Sequence, residues 1–147
     1  MSHFHQEYKI AARDYDRGGE NSIEVQRVLK AVGYAQDILR RAAVCAYEAE
    51  MNVVIHGGDG SMELLVAEDR ITIEVRDAGP GISDVDAALR EGFSTASQEA
   101  RAMGFGAGMG LSNIKKNADT FEIQSAPGAG TYLKMCFNTE ARKRPGG

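Results

Sequence analysis

Glu48 and Asn52 stand four residues apart, so on a helix both side chains leave the same face. A carboxylate there can accept a proton or orient a nucleophile. The amide carbonyl is a hard, neutral ligand suited to Mg²⁺ when a nucleotide supplies the negative oxygens. Taken alone, the pair also reads as a solvated helix face. Asp77 runs into Ala78-Gly79-Pro80-Gly81. Its carboxylate only accepts, so it can receive two donors, such as an exocyclic amine and a bridging water. Gly79 and Gly81 let a flat ring approach the backbone closely. A plain strand-ending turn uses the same residue types.

The loudest signal is Gly104-Phe105-Gly106-Ala107-Gly108-Met109-Gly110-Leu111, four alternating glycines followed by a helical pattern. Such a run can point successive N–H groups inward, and a helix N-terminus adds partial positive charge, both suited to a polyphosphate. It lacks the Lys-Ser/Thr ending of a Walker A loop, and a lid-like stretch rather than a strand precedes it, which excludes the dinucleotide fingerprint. A bare hinge is the competing explanation. Gly128-Ala129-Gly130-Thr131 reads by itself as a glycine hairpin turn.

These groups need elements to hold them. Glu7 to Arg13 alternates and predicts an edge strand. Asn21 or Ser22 is the expected cap of a first helix ending before Gly33, with Ile23, Val28 and Leu29 as its buried stripe. Ile38, Ala42, Cys45, Ala49 and Val53 recur at helical spacing and predict a second helix from about Ala35 to His56, stopped by Gly57-Gly58. Met62 to Ala67 and Ile71 to Arg76 form a hairpin. A short helix is expected over about Asp84 to Arg90, a lid over Glu91 to Gly106 and a helix from Met109 to Asn117. Strands Thr120 to Ser125 and Thr131 to Phe137 complete an α+β two-layer sandwich, with helices on one face of a mixed, largely antiparallel sheet.

Composition narrows the classes. The chain has 147 residues, 43% hydrophobic and 26% charged, with net charge −4; this excludes a disordered chain and suits one domain, with residues 138–147 as a flexible tail. Seventeen glycines are roughly 12% of the chain against a usual 7% or so, without the period of collagen. No apolar run is long enough to span a membrane, and no secretion signal is visible. An acidic balance argues against a nucleic-acid surface. Cys45 and Cys136 read as reduced core thiols of a cytoplasmic protein. His3 and His5 read as part of a frayed terminus rather than a metal site.

Four boxes in order, Glu-Ala-Glu-Met-Asn, Asp-Ala-Gly-Pro-Gly, the long glycine run and Gly-Ala-Gly-Thr, resemble the GHKL ATP-binding domain of gyrase, Hsp90, histidine kinases and the mismatch-repair ATPase. The likeness spans about Tyr34 to Phe137. Within that superfamily the chain is similar to small bacterial anti-sigma and stress-signalling serine kinases, and Gly92-Phe93-Ser94-Thr95 with the extended glycine run resembles their switch-kinase branch. The resemblance implies an ATP- and Mg²⁺-dependent serine kinase acting on a STAS-domain anti-sigma antagonist, within a single kinase domain over residues 1–137. It implies Glu48 as general base, Asn52 as Mg²⁺ ligand and Asp77 as acceptor for the adenine amine. Gly79 and Gly81 would shape that pocket, Gly104, Gly106, Gly108 and Gly110 would cradle the phosphates, and Thr131 would support the adenine. A sigma factor or a phosphatase would be a further partner, and the first strand a dimer edge. The other function it allows is an anti-sigma or activator protein whose nucleotide only sets conformation. A clamp ATPase of the gyrase type would need a transducer domain after the third box.

Overall fold

The alternation of apolar residues in the two hairpins dictates a sheet with one oily face, and a computed structural model describing residues 4–56, 58–82, 85, 89 and 110–139 shows how it is covered. Five strands, β1 (Phe4–Ile10), β2 (Gly60–Val66), β3 (Arg70–Asp77), β4 (Thr120–Ser125) and β5 (Thr131–Asn138), lie in the order β1-β2-β3-β5-β4. Every pairing among them is antiparallel, so the expected mixed sheet narrows to an antiparallel one. Met62, Leu64, Ile71, Ile73, Val75, Leu133, Met135 and Phe137 are buried on one face. The other carries Glu63, Glu74, Arg76, Tyr132 and Lys134, where Arg76 stacks 4.3 Å from the Tyr132 ring and Tyr132 donates to Glu74 at 2.6 Å.

Among the described residues three helices cover the apolar face: α1 (Glu20–Val32), α2 (Gln36–His56) and α3 (Gly110–Asn117). α2 packs against both of the others and against β3 and β5 beneath. That central position explains its composition. The predicted stripe of Ile38, Ala42, Cys45, Ala49 and Val53 is wholly buried, and so are Ala46, Met51 and Val54 on neighbouring faces. Burial pushes the Cys45 thiol up to about 12, and its Sγ faces the Ile114 carbonyl at 3.7 Å. Cys45 and Cys136 are both free and buried.

The first sixty residues depart from expectation in instructive ways. β1 starts at Phe4 and ends at Ile10, because its register is set by β2, with Ile10 opposite Gly60. Arg13 lies outside it at φ 65. Its N–H donates to the Val54 carbonyl at 2.8 Å and its guanidinium to the Ile55 carbonyl at 2.9 Å, closing the C-terminus of α2. His5 is therefore in a strand and bonded to Glu63 at 2.6 Å; it is no frayed tail residue. Asn21 and Ser22 sit inside α1 rather than capping it, since Gly19 is the N-cap. Ile23 is more than half exposed, and Val25 takes its place beside Leu29 in the core. Of the short helix expected near residues 84–90, only Val85 and Leu89 are described, joined by a hydrogen bond of 3.0 Å. The expected lid and residues 140–147 lie outside the described residues. Asn138, expected in the tail, instead ends β5, and Thr139 is buried with its N–H donating to the Asp69 carbonyl at 3.0 Å. No helix among those described is long and apolar enough to cross a membrane.

Candidate nucleotide site

One end of the sheet is finished almost entirely by backbone. Asp77, the last residue of β3, lies opposite Gly60 of β2 on one side and Thr131 of β5 on the other. Its Oδ1 accepts the Gly79 N–H at 2.8 Å, folding the chain into the Gly79-Pro80-Gly81 loop. Burial raises the Asp77 carboxyl above its ordinary value, and the N–H groups of Gly79 and Thr131 oppose that rise. The first glycine loop then meets the hairpin between β4 and β5. Gly128 N–H donates to the Pro80 carbonyl at 2.7 Å, and Ile82 N–H to Ser125 Oγ at 2.7 Å.

Gly81 and Gly130 are required by shape. Both have positive φ, at 80 and 73. A methyl group at Gly81 would run into the Ala126 carbonyl, and one at Gly130 into the Asp77 carbonyl. The missing side chains are what let the two loops touch.

Thr131 is buried beside this junction. Its hydroxyl lies 2.9 Å from Ser125 Oγ, which also lies 2.9 Å from the Gly130 carbonyl. Ser125 has one hydroxyl proton. Spent on the Gly130 carbonyl, it leaves Ser125 accepting from Thr131. The sequence reading missed Ser125, although the hairpin register places it directly opposite Thr131.

The side-chain half of the site lies on α2. Glu48 and Asn52 are both half-buried on a face distinct from the apolar stripe, as their spacing requires. Glu48 Oε2 accepts the Asn113 side-chain N–H of α3 at 2.9 Å. Gly110, the first residue of α3, is placed so that a Cβ there would lie 3.4 Å from Glu48 Oε1. The start of the helix that follows the glycine run is therefore packed on the carboxylate. α2 ends at His56, and Gly58 rests on the Ala78–Gly79 backbone, where an added Cβ would meet it at 3.1 Å. That contact joins the helix carrying Glu48 and Asn52 to the Asp77 loop. Gly104, Gly106 and Gly108 lie outside the described residues.

A family model described as "Histidine kinase-, DNA gyrase B-, and HSP90-like ATPase" matches residues 35–141. The chain belongs to this family. Membership of this family implies that the chain binds ATP. The chain is 36% identical over 93 residues to an anti-sigma F factor of Thermoanaerobacter sp. (strain X514), covering 60% of this chain and 62% of that protein. It is 28% identical over 113 residues to the serine/threonine-protein kinase RsbT of Bacillus subtilis (strain 168), covering 74% and 79%. It thus spans about 62% of the length of the anti-sigma factor. Among solved structures, a mycobacterial sensor histidine kinase, MprB, shares the fold with a TM-score of 0.52 at 14% identity, covering 96% of this chain and all of that one.

Asn113 and Glu50 also escaped the sequence reading. The Asn113 contact joins residues 65 positions apart, and no local pattern announces it. Glu50 is buried, and its carboxylate accepts the N–H of Ser22 at 2.9 Å and of Asn21 at 3.2 Å. A side chain from α2 thus caps α1, where Gly19 has none to offer. Desolvation raises the Glu50 carboxyl, against the pull of those N–H groups and of Gly19.

Proposed function

We propose that this protein is an ATP- and Mg²⁺-dependent serine kinase that phosphorylates a STAS-domain anti-sigma antagonist in a cytoplasmic bacterial switch controlling transcription. The observation that carries the reading is the Glu48 carboxylate, held half-buried at the foot of α3 one helical turn from Asn52. Asp77 and Thr131 receive the adenine. Gly104, Gly106, Gly108 and Gly110 take the phosphates. Asn52 would hold Mg²⁺, which would supply positive charge beside the phosphates. Asn52 offers one neutral oxygen, so phosphate oxygens would complete the shell of such an ion. Glu48 takes the proton of the partner's serine hydroxyl.

The likeness to RsbT, named as a serine/threonine-protein kinase, supports transfer rather than binding alone. The likeness to anti-sigma F factors favours a second reading, in which the chain holds a sigma factor and nucleotide sets its conformation. Radiolabelled ATP incubated with a STAS-domain protein separates the two. Glu48→Ala is expected to abolish labelling, by roughly 10²–10⁴-fold as for loss of a general base, while ATP affinity stays nearly unchanged. Labelling at full rate by the variant overturns the base assignment. A stable sigma-factor complex without any transfer by the wild type favours the second reading.

A further inference from the structure

We infer that Asn113 is a positioning residue for phosphoryl transfer, aiming the Glu48 carboxylate at the incoming hydroxyl. The inference rests on the kinase reading above. The Asn113 amide donates to Glu48 Oε2 at 2.9 Å, and its own backbone carbonyl accepts the Asn117 side-chain N–H at 2.8 Å, one turn further along α3. α3 is in turn pinned to α2 by Arg41, which reaches the Asn117 carbonyl at 2.6 Å. Asn113 therefore hangs from a helix that cannot easily slide along α2. A Glu side chain has three rotatable bonds, and a donor fixed on one oxygen removes most of that freedom.

The consequence is directional. With Oε2 engaged by the amide, Oε1 is left on the side of Gly110, which has no side chain to cover it. In the transfer step the serine hydroxyl proton passes to Glu48 Oε1 as the serine oxygen bonds to the γ-phosphorus. The bond from that phosphorus to the β,γ-bridging oxygen breaks, and its electron pair leaves on ADP. An amide is the right tether for this purpose. It donates without carrying charge, so it neither neutralises the base as a lysine would nor repels it as a second carboxylate would.

A purely structural tie between α2 and α3 would respond to shape, and a positioning role responds to the donor. Asn113→Asp keeps the shape and removes the donor. Asn113→Gln keeps the donor on a longer stem. Label transfer from radioactive ATP to a recombinant STAS-domain protein is measured for the wild type, for Asn113→Asp, Asn113→Ala and Asn113→Gln, and for Glu48→Ala, alongside ATP affinity and melting temperature. Asn113→Ala is expected to lower kcat by about 10–100-fold, the scale of a misplaced catalytic group. Asn113→Asp is expected to fall further, and Asn113→Gln to recover part of the loss. ATP affinity and the KM for the protein substrate should stay within about twofold of wild type, as for a group that acts on kcat alone.

Wild-type kcat in Asn113→Ala overturns the inference, as does Asn113→Asp working as well as Asn. Parallel losses of ATP affinity and melting temperature in every variant also overturn it, in favour of a structural tie. Failure of the underlying reading looks different: either the wild type transfers no label, or Glu48→Ala transfers it at full rate.

Discussion

On the proposed reading, the Asp77 end and the Glu48 face serve one site by opposite means. Around Asp77 the parts are fixed by backbone: strand register, two glycines that admit no side chain, and hydrogen bonds tying one loop to the next. Around Glu48 the parts are side chains on a helix, and one carboxylate oxygen is held by an amide from a neighbouring helix. A backbone-built region has no small way to fail. A side-chain-built region can lose its chemistry while keeping its shape. The difference separates holding a nucleotide from using it.

The comparison breaks first at the glycines. Gly81→Ala or Gly130→Ala must move a carbonyl as well as adopt a strained φ. Each is expected to cost on the order of 4 kcal/mol and to remove ATP binding with the fold; melting curves measure it. A variant that melts like the wild type would show the two loops to be less locked than their contacts suggest. The Glu48→Ala variant described above is the opposite case, losing transfer with binding retained.

Asp77→Asn comes next. Losing a charged acceptor is worth about 1.5–3 kcal/mol, so ATP affinity should drop roughly 10–100-fold with little change in melting. Acidification should mimic it. The folded carboxyl is raised above its ordinary 3.8, so its contribution to stability is present below that value and lost as pH rises through the folded one. Lowering pH through the folded value therefore strengthens the fold while ATP affinity falls. Calorimetric titration of ATP across that range checks it, and a flat affinity would remove Asp77 from the adenine site.

Ser125→Ala is smaller. It leaves the Ile82 N–H and the Gly130 carbonyl short of a partner, and should cost about 1–3 kcal/mol together with a few-fold loss in ATP affinity. An effect on melting alone would mean that the hydroxyl orders the loops but not Thr131.

Glu50→Gln is the mildest. It should change stability by about 1 kcal/mol or less near neutral pH. Because burial raises the Glu50 carboxyl above its ordinary 4.5, its contribution is present below that value and fades as pH rises through the folded one. Acid should therefore stabilise the wild type relative to the Gln variant, and melting at two pH values reads this directly. Equal shifts in both proteins would show that Glu50 titrates as if exposed.

Sequence reading reached the parts of this molecule governed by local periodicity. The α2 stripe, both hairpins and the position of Asp77 at a strand end follow from residue spacing within one element. Where a partner far along the chain decides the outcome, the reading failed. Asn21 and Ser22 looked like caps because their types cap helices, yet the carboxylate on α1's N-terminus comes from Glu50, 28 residues beyond Ser22. Ile23 looked buried because it is apolar, but the α1–α2 packing chose Val25. Asn113 has no local mark at all.

The pairing of β3 with β5 also sets an order of events during synthesis. Glu48 and Asn52 belong to a helix complete by residue 56, long before the ribosome releases Thr131. Until β5 docks, Asp77 lacks its neighbour on one side and its carbonyl lacks Gly130 against it. Closing that pair joins residues 54 positions apart, the kind of distant contact that forms late. On the proposed reading, a nascent chain thus owns its base before it owns a nucleotide pocket, and ATP retention would report that the last strand has arrived.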